Sequence, residues 1–328
     1  MKPIRAAVIG TGAFGRHHVR VLRHLAGVDL VGICDANQER AAALAAEHSC
    51  PIFPSVEALL GQADAAVVAT PTSTHFEITR ALLEAGIDVL IEKPIAQSSA
   101  EGQALAELAE RSGRILQVGH LERFNPAVIA LERAATIPLF FEVHRLSVFS
   151  PRSLDVDVVL DLMIHDLDIV LALTKEEPDE IRAAGISVLS RRVDIANVRL
   201  AFPSGCIANL TASRVSTETV RKLRLFQPGQ YISLDYQRQD ALSFSVDAAS
   251  ASTAGAAGLL PQIGFKALPV ERAEPLQREL ESFVAAVRNR NPPRVDAFQA
   301  TNALRVAEAI LGKIQEHADL VAKTLQRA

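Results

Sequence analysis

The stretch Ile4-Arg5-Ala6-Ala7-Val8-Ile9-Gly10-Thr11-Gly12-Ala13-Phe14-Gly15 runs from an apolar segment straight into glycines at positions 10, 12 and 15, and a helical pattern follows through Leu25. This reads as strand, tight turn and helix. Glycines spaced in this way permit the turn, close approach of main chain to a pyrophosphate, and close helix packing. Ala13 and Phe14 complete the turn at the helix N-terminus, where unpaired N–H groups favour an anion. Asp35 ends the next strand, Leu30 to Cys34, and is placed to accept from a ribose 2'-hydroxyl. The plain alternative is a glycine-rich turn with Asp35 as a helix cap. A carboxylate there repels a 2'-phosphate, so NAD is expected over NADP, with Arg40 one helical turn on softening the preference.

Outward from this turn the first half alternates. An Ala-rich helix covers Gln38 to Glu47, a third strand Ala65 to Ala69, a helix His75 to Glu84, a fourth strand Ile87 to Ile91, a helix Ala100 to Arg111 and a fifth strand Arg114 to Val118. Continuous apolar strands alternating with helices predict a doubly wound parallel sheet of the Rossmann type, covered on both faces. Thr70-Pro71-Thr72 and His75 follow the third strand, at the carboxyl edge where such sheets bind ligands. Cofactor contacts are expected from Thr70, Pro71 and Thr72, while His75 reads equally as a ligand contact or as packing.

After residue 121 the texture changes. Phe140 to Val148, Ala183 to Ser190, Asn197 to Ala201, Cys206 to Ala212, Leu223 to Phe226, Tyr231 to Tyr236 and Leu242 to Val246 read as strands between turn signals. They predict a largely antiparallel open sheet flanked by helices. A helix over Val158 to Leu173 interrupts the series, two more near Glu274 to Arg290 and Ala297 to Glu316 end it, and the Ala/Ser/Gly-rich segment Ala248 to Gly258 reads as a mobile loop. The expected organisation is a cofactor domain over 1–121 and a substrate and oligomerisation domain over 122–328, with the last helices able to pack back on the first.

Composition narrows the function. The 328 residues are 49% hydrophobic, enough for sizeable cores, and the net charge of -4 without basic clusters argues against a nucleic-acid binder. From Met1 the chain passes at once into strand-like sequence, and no apolar run is long enough for a bilayer, so a cytoplasmic protein without membrane contact is expected. Cys34, Cys50 and Cys206 lack metal-ligand spacing and read as reduced thiols with no metal site.

Two further motifs carry chemistry. Glu92-Lys93-Pro94 ends the fourth strand, delivering a charged pair and a proline to the edge. A surface ion pair with a strand-stopping proline is the alternative. Asp161, His165 and Asp168 are spaced i, i+4, i+7 within an otherwise apolar helix and so share one face. Here the alternative is a solvated polar face with a carboxylate pairing to His165.

Taken together, the glycine turn, the Glu-Lys-Pro triplet and the Asp-x-x-x-His-x-x-Asp helix resemble the Gfo/Idh/MocA family of NAD(P)-dependent oxidoreductases, over nearly the whole chain. The resemblance implies that Lys93 lies between nicotinamide and substrate with Asp161 and His165 facing it, and that a cis bond often precedes the proline. It also implies a dimer or tetramer built through the second sheet. Oxidising a secondary alcohol requires a base near neutrality and a cation beside the developing alkoxide. His165 suits the base, Lys93 the cation and Asp161 an orienting role, and Lys93 and His165 can exchange roles. Many members carry glycines where this chain has Asp157, Val158 and Met163.

A narrower likeness comes from Val118-Gly119-His120-Leu121-Glu122-Arg123-Phe124-Asn125-Pro126, from Val156 through Asp166, and from Arg221-Lys222-Leu223-Arg224-Leu225-Phe226. These resemble members that oxidise the 3-hydroxyl of UDP-N-acetylglucosamine, preparing a 3-keto sugar for amination in lipid A or other surface-glycan synthesis. A nucleotide diphosphate needs basic donors, for which Arg123, Arg145, Arg152 and Arg214 are candidates, with Asn125 for sugar hydroxyls. A dehydrogenase of free polyols or small carbonyls would not need the arginines, and a noncatalytic NAD-binding sensor would tolerate loss of Lys93 or His165.

Overall fold

The structure is a computed structural model describing residues 2–150, 156–246 and 263–325. Two compact units divide the chain, one comprising Met1–Phe124 and Glu274–Arg305, the other Asn125–Ala273 and Val306–Ala328.

In the first unit, β1 (Ile4–Ile9), β2 (Val28–Cys34), β3 (Ala65–Val68), β4 (Asp88–Glu92) and β5 (Leu116–Gly119) form one parallel sheet in the order β2-β1-β3-β4-β5. Every residue of β3 is buried, and Val89, Leu90 and Ile91 of β4 are wholly so, as a sheet covered on both faces requires. Helices α1 (Gly15–His24), α2 (Gln38–His48), α3 (His75–Glu84) and α4 (Ser99–Ser112) alternate with the strands. Local chemistry fixes their ends. Asn37 caps α2 by accepting from the Arg40 N–H, Ser98 caps α4, and Gly113 ends α4 in the left-handed region at φ 63°. Because the chain runs from β1 outward to β2 and then returns to β3 on the other side, the strand order reverses between β1 and β3. That is where a doubly wound sheet opens a crevice at its carboxyl edge.

A late helix, α7 (Pro275–Asn289), belongs to the same unit. Its Leu276, Leu280, Phe283, Val284 and Val287 join the core formed by β1, α1 and α2. Arg290 just beyond it forks Asp88 at the start of β4, with separations of 2.6 and 3.1 Å.

The second unit is built on an eight-stranded sheet. Its strands are β6 (Phe140–Val148), β7 (Glu180–Ile186), β8 (Ile195–Ala201), β9 (Ile207–Ser216), β10 (Val220–Gln227), β11 (Gln230–Asp235), β12 (Asp240–Val246) and β13 (Ile263–Ala267), in the order β13-β12-β11-β10-β6-β9-β8-β7. All neighbouring pairs are antiparallel except β6 with β9. Burial alternates along β8 and β11, so one face packs and the other looks outward.

The sequence reading and the structure differ in several elements. The helix expected over Val158 to Leu173 begins as a π turn, Val159–Met163, and becomes α-helical only as α6 (Ile164–Thr174). Helix α5 (Pro126–Ala134) and strand β13 were not expected, and the last helix, α8, extends over Ala297–Leu325. Arg152 and the Ala248 to Gly258 segment lie outside the described residues.

Candidate active site

The glycine turn joins β1 to α1, and two of its glycines are required by the protein itself. Gly10 has φ +88°, and a Cβ there would lie 2.5 Å from the Ala69 carbonyl oxygen of the neighbouring loop. At Gly15 a Cβ would come within 1.8 Å of the Gly10 oxygen. Gly12 differs, because a Cβ there would meet nothing within 4 Å. Internal packing does not demand glycine at 12, whereas close approach of a pyrophosphate does. No side chain caps α1 at Phe14 and its first turn holds no carboxylate, leaving the positive end of the helix to an anion. Phe14 is 54% exposed and Ala13 is exposed beside it. These residues fit a bound dinucleotide.

Asp35 stands at the end of β2 as expected, but its carboxylate is not open. The side chain is buried, and it accepts from the Thr11 N–H and hydroxyl, each at 2.6 Å, and from the Asn37 N–H at 2.8 Å. Arg40 adds a fork at 2.7 to 3.1 Å. Burial alone would raise the Asp35 carboxyl, but the bonds from Arg40, Thr11 and Asn37 outweigh it and hold the group far below the ordinary carboxylate range. Asp35 thereby ties the glycine turn to the start of α2. A ribose at this strand end would meet a pair neutralised by Arg40.

On the other side of the switch point, Thr70 is half-buried, and the Thr74 hydroxyl donates to the Pro71 carbonyl at 2.8 Å and lies 2.8 Å from the Thr70 hydroxyl. Thr72 opens a short 3₁₀ turn into α3. His75 is buried, with Nδ1 2.9 Å from the Pro94 oxygen and Nε2 2.9 Å from the Thr70 oxygen. The ring therefore bridges the loops that follow β3 and β4. Burial lowers its pKa, opposed by the two carbonyls and the charge of Glu92. Of the two readings of His75, the bridge is the one these contacts describe.

Glu92 ends β4 opposite Gly119 of β5, and the bond between Lys93 and Pro94 is cis. Lys93 is half-buried at the sheet's carboxyl edge. Glu92 is gripped from below by His18 of α1, with Nε2 and Oε1 2.7 Å apart. The triplet is therefore not a solvated surface pair. Sequence reasoning did not single out His18, although its place three residues after Gly15 on a helix crossing the sheet could have pointed to it.

In the second unit, Asp161 lies in the π turn and His165 in the first turn of α6, both half-buried, while Asp168 is buried. The polar groups of this segment are thus split between a half-exposed pair and buried neighbours. Asp166, buried and not singled out from sequence, accepts from Arg145 at 2.6 and 2.9 Å and from the Tyr236 hydroxyl at 3.0 Å.

That contact bears on the arginines expected to meet a diphosphate. Arg145 is 2% exposed and forks Asp166, with the Tyr236 ring 5.0 Å from its guanidinium carbon, so its guanidinium is turned into the fold. Arg214 is turned inward likewise, being buried and donating to the Val156 carbonyl with Asp194 3.8 Å away. Asn125 caps α5, accepting from the Ala127 N–H and donating to the Tyr236 carbonyl, each at 3.0 Å. Its carboxamide is engaged in the fold at both ends. Arg123 is buried in the turn Leu121–Phe124, and its main-chain oxygen accepts from Arg294 at 3.0 Å. The three cysteines are buried free thiols, and burial pushes Cys206 up to about 11.

Comparison with known proteins agrees with this layout. Residues 4–120 match the model of an oxidoreductase family with an NAD-binding Rossmann fold, and residues 142–226 match the Gfo/Idh/MocA C-terminal domain. A UDP-N-acetylglucosamine 3-dehydrogenase of Acidithiobacillus ferrooxidans is 37% identical over 93% of this chain and 95% of its own. A solved structure of that organism's UDP-N-acetylglucosamine 3-dehydrogenase superposes with a TM-score of 0.88 at 35% identity, over 96% of this chain and 99% of its own. Inositol 2-dehydrogenase 1 of Saccharopolyspora erythraea is 29% identical over 94% of this chain and 93% of its own. The chain belongs to the Gfo/Idh/MocA family of oxidoreductases, and NAD is its cofactor.

Proposed function

We propose that this family member is an NAD-dependent dehydrogenase that oxidises the 3-hydroxyl of UDP-N-acetylglucosamine to the 3-keto sugar. The observation that carries the substrate is the identity of 37%, sustained over 93% of the chain, to a relative named for that reaction. The half-buried Lys93, Asp161 and His165 supply the side-chain types the chemistry needs.

Bound NAD supplies the hydride acceptor. His165 takes the hydroxyl proton as the C3–H bond breaks with its electron pair, leaving a carbonyl. Lys93 carries the positive charge that stabilises the developing alkoxide, and Asp161 orients the imidazole or the sugar. Lys93 and His165 are interchangeable in the proton step. Gly10, Gly12, Ala13, Phe14 and Gly15 cradle the pyrophosphate, and Thr70 to Thr72 line the nicotinamide side.

The 3-keto product is an amine acceptor, which places the enzyme ahead of an aminotransferase in lipid A or surface-glycan synthesis. Among the described residues no helix is long and apolar enough to cross a membrane. Buried reduced thiols fit a cytoplasmic setting. A second copy is expected on the outward face of the large sheet. Phe140, Phe226, Tyr231, Phe244 and Phe265 form an unbroken cross-strand ladder there, with Phe265 76% exposed. Light scattering of wild type and Phe265→Glu reads this, a fall in mass in the variant being the expected result.

Mixing enzyme, NAD and UDP-N-acetylglucosamine tests the activity by NADH absorbance, with a ketone trap or aminotransferase to draw the equilibrium. A second reading, a dehydrogenase of free polyols, is favoured by the engagement of Arg145, Arg214 and Asn125 within the fold and by the inositol dehydrogenase relative. Turnover of inositol without turnover of the UDP-sugar would decide for it. NAD binding without turnover of either would leave a noncatalytic sensor.

A further inference from the structure

His18, Glu92 and Glu279 form a titratable cluster at the end of β4 that the hydride chemistry above does not use. His18 on α1 and Glu279 on α7 are wholly buried, and Glu92 is nearly so. One nitrogen or oxygen from each falls within 4.8 Å of the others. Glu92 Oε1 faces His18 Nε2, and Oε2 lies over β5, where only glycine at 119 leaves room, a Cβ there coming within 3.1 Å of it. Among the described residues neither carboxylate oxygen of Glu279 has a hydrogen-bond partner. The Gln117 amide of β5 donates instead to the Glu279 main-chain oxygen at 3.2 Å.

A buried carboxylate without donors takes up a proton rather than ionise. A second carboxylate close by pushes the same way, because two cannot both ionise in one buried site. Burial first, and the charge of Glu92 second, raise the Glu279 carboxyl well above its ordinary value. Other charged or titratable groups on α1, at the end of β4 and on the turn after β5 are Arg16, His17, Arg20, Arg23 and His24, Lys93, and Glu122 and Arg123 respectively. Of these, Arg20 pairs with Glu274, at the start of α7.

We propose that His18, Glu92 and Glu279 are positioning residues, a buried cluster in which Glu279 keeps its proton beside the Glu92 carboxylate that His18 holds, and so fix the strand end that presents Lys93. The role of Lys93 here rests on the dehydrogenase reading. The protonation of Glu279 does not.

Infrared difference spectra of substrate-free wild type against Glu279→Gln at pH 8 read the proton directly. A protonated-carboxyl band present in wild type and missing in the variant is expected, and its absence from the difference overturns the cluster. Should Glu279→Gln not fold, carboxyl ¹³C NMR of wild type makes the same decision. Equilibrium dialysis with Zn²⁺ and Mn²⁺ gives a second arm, since tight binding lost in Glu279→Gln would mean a metal site and overturn the protonation assignment. In turnover, Glu92→Gln and His18→Ala should lower kcat by roughly tenfold or more and move one limb of the pH–rate profile, with the NAD KM within about threefold. His18→Gln, which keeps a donor, should recover part of the loss. Profiles that superpose on wild type after scaling would overturn the positioning role even where the infrared band is found.

Discussion

Arg40 forks the carboxylate of Asp35, its Nε 3.1 Å from Oδ2 and a terminal nitrogen 2.7 Å from Oδ1. The acid expected to discriminate against a 2'-phosphate would therefore already be neutralised on meeting a cofactor. Arg40 is half exposed, so the pair is worth little to stability but a good deal to local potential.

Arg40→Ala should sharpen the preference for NAD over NADP by roughly threefold to tenfold, by uncovering the Asp35 charge. Fluorescence titration with NADH and NADPH gives the ratio of dissociation constants. An unchanged ratio would mean that Asp35 does not face the ribose.

Removing Asp166 should unfold rather than merely inactivate. Asp166→Ala removes the carboxylate that buried Arg145 forks and should cost about 3–5 kcal/mol, whereas Tyr236→Phe removes one hydrogen bond to Asp166 and should cost about 1 kcal/mol. Urea denaturation checks both. A loss under about 1 kcal/mol for Asp166→Ala would reopen Arg145 as a ligand-binding group.

Acid should attack the turn after β7 through Asp194. Burial would raise this carboxyl, but the Ser190 hydroxyl and the N–H groups of Ser190, Leu189 and Val188 lower it to about 2 from 3.8. As pH falls the unfolded chain binds the proton first, so the contribution is complete above about pH 4 and is lost toward pH 2. Asp194→Asn should therefore be less stable than wild type at pH 6, with the gap narrowing below pH 4 in urea melts. Parallel stability curves would contradict the assignment.

Lys93→Ala and His165→Ala should each lower kcat by roughly a hundredfold or more while leaving NAD affinity within about threefold. Stopped-flow single turnovers and NAD titrations separate the two quantities. Unchanged kcat in both variants would remove these residues from the chemistry.

Local signals made the first half of the fold legible. Ile4–Ile9 and His75–Glu84 could be read to the residue because glycine or threonine punctuation bounds an unbroken apolar or periodic run. Helix α5 carried its own signal in Asn125-Pro126, a cap followed by proline at the first helical position, which went unread. The π turn at Val159–Met163 had none, since hydrophobic periodicity does not distinguish one residue of extra winding.

Candidate groups were legible by type and position, their engagement was not. Gly10, Gly12, Gly15, Asp35 and Lys93 announce themselves by spacing along one strand edge. Whether Arg145 meets solvent or Asp166, 21 residues away, depends on which strand passes over α6. Glu279 reads from sequence as one more charge on an amphipathic helix, and only its wholly buried place beside Glu92 gives it a role.

The most direct test follows the hydrogen itself. With UDP-N-acetylglucosamine deuterated at C3 and unlabelled NAD, mass spectrometry of the reduced cofactor from wild-type enzyme should find one deuterium on the nicotinamide ring and a 3-keto sugar beside it. Reduced cofactor without deuterium, or no reduced cofactor from this substrate while inositol turns over, would contradict the assignment.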